Sequence, residues 1–249
     1  MIGWKPNPFI FVHIPKCAGT SIEQALIPIA TGKNGFPELT ELDRCRYWLP
    51  GTKGLQHSKL RRYSRHFRLK RFFKFAIVRN PWDRAISQIT YLRSTAHAHL
   101  FRRKNFKEQV RTYCTTTRYI WGHDLSACQA DYLFGPNGKV AIDFVGRFES
   151  LEHDFTEVCR TIGIIPPPVL PHVFDSKRKV HYSAFYDDES AAWIKARFAK
   201  DIEMFDYHFE DRRGISSPSP IDSKVSDASI LEAEVREESG ISPEIVSAP

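Results

Sequence analysis

Residues 9–26, FIFVHIPKCAGTSIEQAL, leave little choice of local fold. Phe9, Ile10, Phe11 and Val12 make a continuous apolar run of β-formers, which reads as a buried strand. The residues from His13 to Gly19 follow as a turn holding a proline, a lysine and a glycine. Beyond it Ile22, Ala25, Leu26 and Ile29 recur at helical spacing, with Thr20 or Ser21 as candidate N-cap. A strand that passes through a tight basic turn into a helix builds an anion site. The first helical N–H groups lack intrahelical acceptors and point into the turn, where the helix dipole adds partial positive charge. Lys16 adds a full charge, and Thr20 and Ser21 add hydroxyl donors. Gly19 is expected to let the backbone approach the ligand closely.

The residue order is not that of the nucleotide-triphosphatase loop, which wants Gly, four residues, then Gly-Lys-Ser/Thr. Here the lysine precedes the glycine. A bare Lys-x-x-Gly-Thr-Ser reads equally well as an ordinary surface turn; the flanking strand and helix favour a binding loop. A second stretch repeats the logic. Residues 72–78, FFKFAIV, read as a buried strand. Arg79 then lies at its carboxyl end, where α/β sheets place ligands. Pro81 fits the first turn of a helix, with Asn80 as its cap. The planar fork of Arg79 suits bidentate bonds to phosphate.

HIPKCAGTS resembles the phosphosulfate-binding loop of the carbohydrate sulfotransferases, the family of the heparan and chondroitin sulfotransferases and many bacterial relatives. Family members commonly have Gly where Ala18 stands. VRNPWDRAIS resembles the family's 3′-phosphate motif, an Arg followed by a Ser, here Arg79 and Ser87; VGRFESLEHDF is similar to the family as well. The resemblance covers most of residues 8–208. It implies an α/β, P-loop-NTPase-like three-layer fold with a mostly parallel central sheet flanked by helices. It implies 3′-phosphoadenosine 5′-phosphosulfate (PAPS) as donor cosubstrate, no metal, and in-line transfer to a hydroxyl of a carbohydrate or glycoconjugate. By the same resemblance, Lys16 stabilises charge on the leaving oxygen. Cys17, Ala18, Gly19, Thr20 and Ser21 hold the 5′-phosphate end, and Arg79 and Ser87 hold the 3′-phosphate.

His57 stands where a helix is expected to begin. By residue type alone it is as readily a surface or capping histidine as a base. Relatives place a His-Ser/Ala helix start between their two donor loops, which makes His57 the candidate general base. Ser176, Lys177 and Arg178 resemble the mobile Ser-then-basic loop that closes over the donor in relatives.

Charge enters here. The net charge is +7, but from Gly214 onward two Lys and Arg face seven Asp and Glu. That segment carries −5 and leaves +12 on residues 1–213. An anionic donor with an acidic glycan acceptor accounts for a basic body; nucleic acid would too, and charge alone does not choose. Eight Lys and Arg crowd residues 59–74, with Tyr63 and Phe67 between them. They read as a solvated connector or a glycan patch, since no RNA-recognition signature accompanies them and no nucleic acid is expected. Two other functions stay open. One is a non-catalytic glycan- or nucleic-acid-binding module on the same fold. The other is a nucleotide kinase, disfavoured by the loop order and by the lack of a clear acidic strand end for Mg²⁺.

Five widely spaced cysteines without a C-x-x-C pair indicate neither a disulfide framework nor a zinc ribbon. No stretch reads as a signal peptide or a membrane span. Animal members of the family carry an N-terminal membrane anchor, so the expectation is a soluble, bacterial, cytoplasmic enzyme with reduced thiols.

The remaining elements follow from pattern. Residues 31–56 read as loop with a short helix near 39–48, and residues 91–134 as mostly helical. His97 and His99 would face apart on a helix, so no metal is assigned. Residues 141–148 read as a third strand, followed by a helix capped by Ser150 and ended by Gly163. Gly146 and Arg147 in that strand are expected to be structural. Residues 187–207 read as one long amphipathic helix with Trp193, Ile194, Phe198, Ile202 and Phe205 in the core. Past Arg213, Ser, Pro and Glu dominate, which gives a domain at 1–213 and an acidic, disordered tail at 214–249.

Overall fold

The computed structural model describes residues 2–3, 7–30, 57–64, 68–95, 97–115, 119–120, 123–124, 127–171, 178 and 180–213. The expected helix near 39–48, Ser176 and the acidic tail lie outside the described residues. The chain divides into two compact units. The first comprises Met1–Asn80, Arg118–Val173 and Glu203–Asp206; the second comprises Pro81–Thr117, Phe174–Ile202 and Tyr207–Pro249.

The first unit is built on a sheet of strands β1 (Ile2–Gly3), β2 (Phe9–Val12), β3 (Phe73–Val78) and β6 (Phe144–Arg147), in the order β1-β2-β3-β6. β1 runs antiparallel to β2, while β2, β3 and β6 are parallel. Parallel strands are covered on both faces, so their sequences are continuously apolar rather than alternating. All four residues of β2 are buried, and so are the last five of β3. Phe11 stacks on Phe75 with ring centres 4.9 Å apart. The third strand is shorter than the sequence suggests, because residues 141–143 stay outside the ladder and Asp143 instead pairs with the nearly buried Lys74.

Helix α1 (Gly19–Ala30) follows β2 and buries Ile22 and Leu26. It begins at Gly19, so Thr20 and Ser21 are first-turn residues rather than caps. Among its described residues the basic stretch 59–74 holds a single helical turn, α2 (Leu60–Tyr63), a 3-10 turn, Leu69–Arg71, and the start of β3. Lys59 pairs with Asp131, and Arg61, Arg62, Arg68, Lys70 and Arg71 are exposed. Strands β4 (Tyr119–Ile120) and β5 (His123–Asp124) form a small antiparallel pair in place of expected helix. The helix after β6, residues Leu151–Ile162, packs on β3 and β6 through its own buried Phe155, Val158, Cys159 and Ile162. Ser150 occupies its N-cap position, but its hydroxyl donates to the Asp154 carboxylate at 2.8 Å instead of capping an N–H. Gly163 ends the helix in the left-handed region, φ +82°. Gly146 and Arg147 are structural: a Cβ on Gly146 would meet Ile77 and Asp154 within 3 Å, and Arg147 donates to the Phe205 carbonyl.

The second unit is helical. Helix α3 (Pro81–Arg93), helix α4 (Phe106–Thr115) and the helix Asp188–Arg197 pack against one another. Numbered in chain order, Leu151–Ile162 is α5 and Asp188–Arg197 is α6. Trp82 donates its indole N–H to the Ala191 carbonyl at 2.9 Å, and the Tyr186 hydroxyl donates to the Trp82 carbonyl at 2.7 Å. Residues 187–207 are not one helix. Asp187 is the N-cap of α6 through a capping box with Ser190, and Phe198 leaves the helical region before α7 (Ala199–Phe205) begins. The break seats the Phe198 ring 5.8 Å from that of Tyr113, while Trp193 and Ile202 stay half-buried rather than in the core. His97 and His99 are not on a regular helix; their rings stack with centres 6.4 Å apart, and among the described residues no cluster of three or more metal-ligating side chains forms. Among the described residues, no helix is long and apolar enough to cross a membrane.

Candidate active site

Because β2 and β3 are parallel neighbours, with Val12 opposite Ala76, the residues that follow them leave the sheet at the same edge. After Val12 the chain buries His13, Ile14 and Pro15 and then turns sharply. Lys16 and Ala18 both sit in the left-handed region, at φ +63° and +57°. Left-handed residues alternating with right-handed ones gather successive N–H groups into a concavity that suits anions. The loop opens directly into α1, whose first turn has N–H groups to spare: the first intrahelical bond runs from Ile22 N–H to the Ala18 carbonyl at 3.2 Å. Lys16, Ala18, Thr20 and Ser21 are all half-buried.

A left-handed alanine costs roughly 1–2 kcal/mol relative to glycine, partly offset by the greater freedom of an unfolded glycine. Ala18→Gly is therefore expected to raise the thermal midpoint by about 2–4 °C. A lowered midpoint in a melting curve would show that the loop is not strained at Ala18.

The side-chain space at Gly19 and Cys17 is used within the protein. A Cβ on Gly19 would lie 2.1 Å from the His13 ring, so His13 needs the glycine in addition to the ligand approach expected of it. The Cys17 thiol is buried, 3.5 Å from the Pro15 carbonyl and 3.2 Å from Gln129 Oε1.

His13 links the loop to His57. Its buried ring lies 3.2 Å, through Nδ1, from Glu23 Oε1 on α1, and edge-on to the His57 ring with centres 4.2 Å apart. His57 Nδ1 is 3.3 Å from the His13 carbonyl. A carbonyl only accepts, so Nδ1 carries the hydrogen and Nε2 is left as the basic nitrogen. His57 itself is half-buried, at φ +55°. Tyr63, also buried nearby in sequence, has its phenol pushed up by burial and then by the Glu23 charge, so it stays neutral.

Arg79 is 94% buried at the end of β3. Its Nη1 donates to the Lys16 carbonyl at 3.3 Å, and its guanidinium lies over the Phe148 ring at 3.9 Å. Gln129 clamps the main chain here: Arg79 N–H donates to Gln129 Oε1 and Gln129 Nε2 donates to the Arg79 carbonyl, both at 2.8 Å. Gln129 lies in no motif, and Phe148, though within the family-like segment 145–155, carries no mark there of a contact with Arg79; the fold brings both to it. Gln129→Ala would strand two buried main-chain groups, at a cost of about 2–4 kcal/mol. The expected fall in thermal midpoint is roughly 5–15 °C; an unchanged midpoint would remove Gln129 from this role.

The other proposed residues lie in the second unit. Ser87 is half-buried on α3. Arg178 forms a largely buried ion pair with Asp83 in the first turn of α3. In this structure the guanidinium expected to close over a donor is held by that carboxylate.

Residues 5–208 match the profile described as "Sulfotransferase family". "Carbohydrate sulfotransferase 10" of Homo sapiens is 23% identical over 245 residues, covering 82% of this chain and 66% of its own. The protein of the same name from Gallus gallus is 22% identical over 243 residues, covering 82% of this chain and 65% of its own. An "Uncharacterized protein" of Archaeoglobus fulgidus is 30% identical over 95 residues, 37% of this chain and 69% of its own. The chain thus spans just under two thirds of the length of the sulfotransferase relatives it matches. No solved structure matches it significantly.

Proposed function

The chain belongs to the sulfotransferase family, and from that premise we propose that it moves a sulfuryl group from PAPS to a hydroxyl of a carbohydrate or glycoconjugate. The observation that carries the reading is a connected group of residues in the first unit. Arg79 bonds to the Lys16 carbonyl, and His57 bonds to the carbonyl of His13 just before the loop. The residues fit the donor: a concave, strained loop and a helix start offer N–H groups to a phosphate, beside one lysine and one buried arginine. In the same spirit we read the first unit as a P-loop-like fold, on its parallel strands and its strand–loop–helix order.

PAPS supplies the sulfuryl group. Sulfuryl transfer shares the physics of phosphoryl transfer, where positioning and charge stabilisation do most of the catalysis. The N–H groups of Ala18, Gly19, Thr20 and Ser21, with the two hydroxyls, hold the 5′-phosphate end. Lys16 places an ammonium where negative charge builds on the leaving oxygen. Arg79 holds the 3′-phosphate; the donor roles of Ser87, Ser176 and Arg178 rest on the family resemblance alone. His57 Nε2 takes the proton of the acceptor hydroxyl, while Nδ1–H holds the ring to the His13 carbonyl. None of these roles calls on a metal.

The proposal extends to a cytoplasmic protein. It is supported, among the described residues, by Cys114 and Cys159, which form no disulfide. Burial pushes Cys159 up to about 12 and Cys114 up to about 11, so both stay protonated. The relatives named above are animal and archaeal and lend no support to a bacterial origin.

Incubation with radiolabelled PAPS and a panel of unsulfated glycosaminoglycans, neutral oligosaccharides and simple alcohols tests the reading. Label is expected in a carbohydrate, with or without chelator. Adenosine bisphosphate binding without transfer to any of them would favour a non-catalytic module instead.

A further inference from the structure

We propose that the second unit carries a saccharide-binding shelf centred on Trp193, which takes the pyranose ring of a neutral sugar residue. A cavity of about 420 Å³ opens at the surface, lined by Lys107, Glu108 and Arg111 of α4 and by Glu189 and Trp193 of α6. That volume lies within the range of small-molecule sites, about 300–1,000 Å³.

The walls are fixed before any ligand arrives. At the start of α4, Asn105 N–H donates to Glu108 Oε2 at 3.0 Å and Glu108 N–H donates to Asn105 Oδ1 at 2.9 Å. At the start of α6, Ser190 N–H donates to Asp187 Oδ1 at 2.8 Å. Lys107 Nζ bridges the two helices, 2.8 Å from Asp187 and also paired with Glu189. Its hydrogen bonds to Asp187 and then Glu189 raise its pKa and keep it charged. The same ammonium lies 5.8 Å from the centre of the Trp193 ring. Arg111 is one turn beyond Lys107, on the same face of α4.

Trp193 stays half-exposed although it is among the largest apolar side chains. A half-exposed indole beside fixed carboxylates and cations matches a sugar ring. The apolar C–H face of a pyranose covers the indole, and its hydroxyls donate to carboxylates and accept from ammonium or guanidinium N–H groups. The lining carries two cations, Lys107 and Arg111, against two carboxylates, Glu108 and Glu189, a balanced set without the cationic excess that an acidic sugar would need. This shelf rests on the reading that the chain handles carbohydrate, but it uses none of the residues assigned to the donor.

The test is a titration of the full chain with cellotriose, maltotriose and chitotriose, without donor, followed by NMR of the indole N–H resonances. One of the three is expected to bind with a Kd of about 1 mM. Trp193→Ala should weaken that binding by about tenfold or more, and Trp193→Phe should restore most of it. Absence of binding by all three at about ten times that concentration overturns the proposal. Unchanged affinity in Trp193→Ala, or a preference for an unsulfated chondroitin hexasaccharide, overturns it too. Sugar binding at Trp193 in a protein that transfers no sulfate keeps the shelf and removes the transferase reading. Transfer with unchanged sugar binding in Trp193→Ala does the reverse.

Discussion

Lys16→Ala is expected to remove the proposed sulfuryl transfer, lowering kcat by about 10³-fold or more, and to leave the fold intact. The residue is half-buried and left-handed, and alanine meets the same backbone cost there as lysine. The group of Lys16 that Arg79 binds is its carbonyl, which the substitution keeps. What disappears is the ammonium that, on the proposed mechanism, faces the charge building on the leaving oxygen. Lys16→Arg restores the charge but not the shape, because a planar fork does not replace a compact ammonium, and is expected to recover only part of the rate. Turnover of labelled PAPS and a thermal melt check both halves. A folded, fully active Lys16→Ala protein would end the assignment.

His57→Asn lowers kcat by about 10²–10⁴-fold while the donor Kd changes by less than about threefold. Asparagine is the right probe here because it tolerates a positive φ better than most residues, and His57 sits at +55°. An alanine at the same position would mix loss of the base with a change in the loop. The hydrogen bond to the His13 carbonyl leaves Nε2 as the basic nitrogen, and that nitrogen is what the substitution removes. If donor affinity collapses along with the rate, His57 holds the loop and is not the base.

The sequence makes the buried strands easy to read, because residues 9–12 and 73–78 are apolar without interruption and parallel strands need that. The strand–loop–helix at residues 9–30 is equally plain. The handedness of Lys16 and Ala18 is not, since nothing in a Lys-Cys-Ala triplet announces two positive φ angles. A second constraint on Gly19 is hidden for a related reason: the ring that also needs its empty space belongs to His13, six residues earlier, across a turn whose path the sequence does not state. Gln129 is further from view. Its amide serves Arg79 and Cys17, which lie 50 and 112 residues away, and a lone glutamine carries no pattern. The break at Phe198 escapes notice because no Gly or Pro marks it; burying that ring beside Tyr113 outweighs the helical periodicity around it.

Calorimetric titration of the whole chain with adenosine 3′,5′-bisphosphate, in buffer containing a magnesium chelator, probes the donor assignment most directly. The account predicts one site per chain with a Kd in the micromolar range, of order −8 kcal/mol, weakened at least about tenfold by Arg79→Ala. Heat no different from dilution, or binding that appears only when magnesium is added, would contradict it.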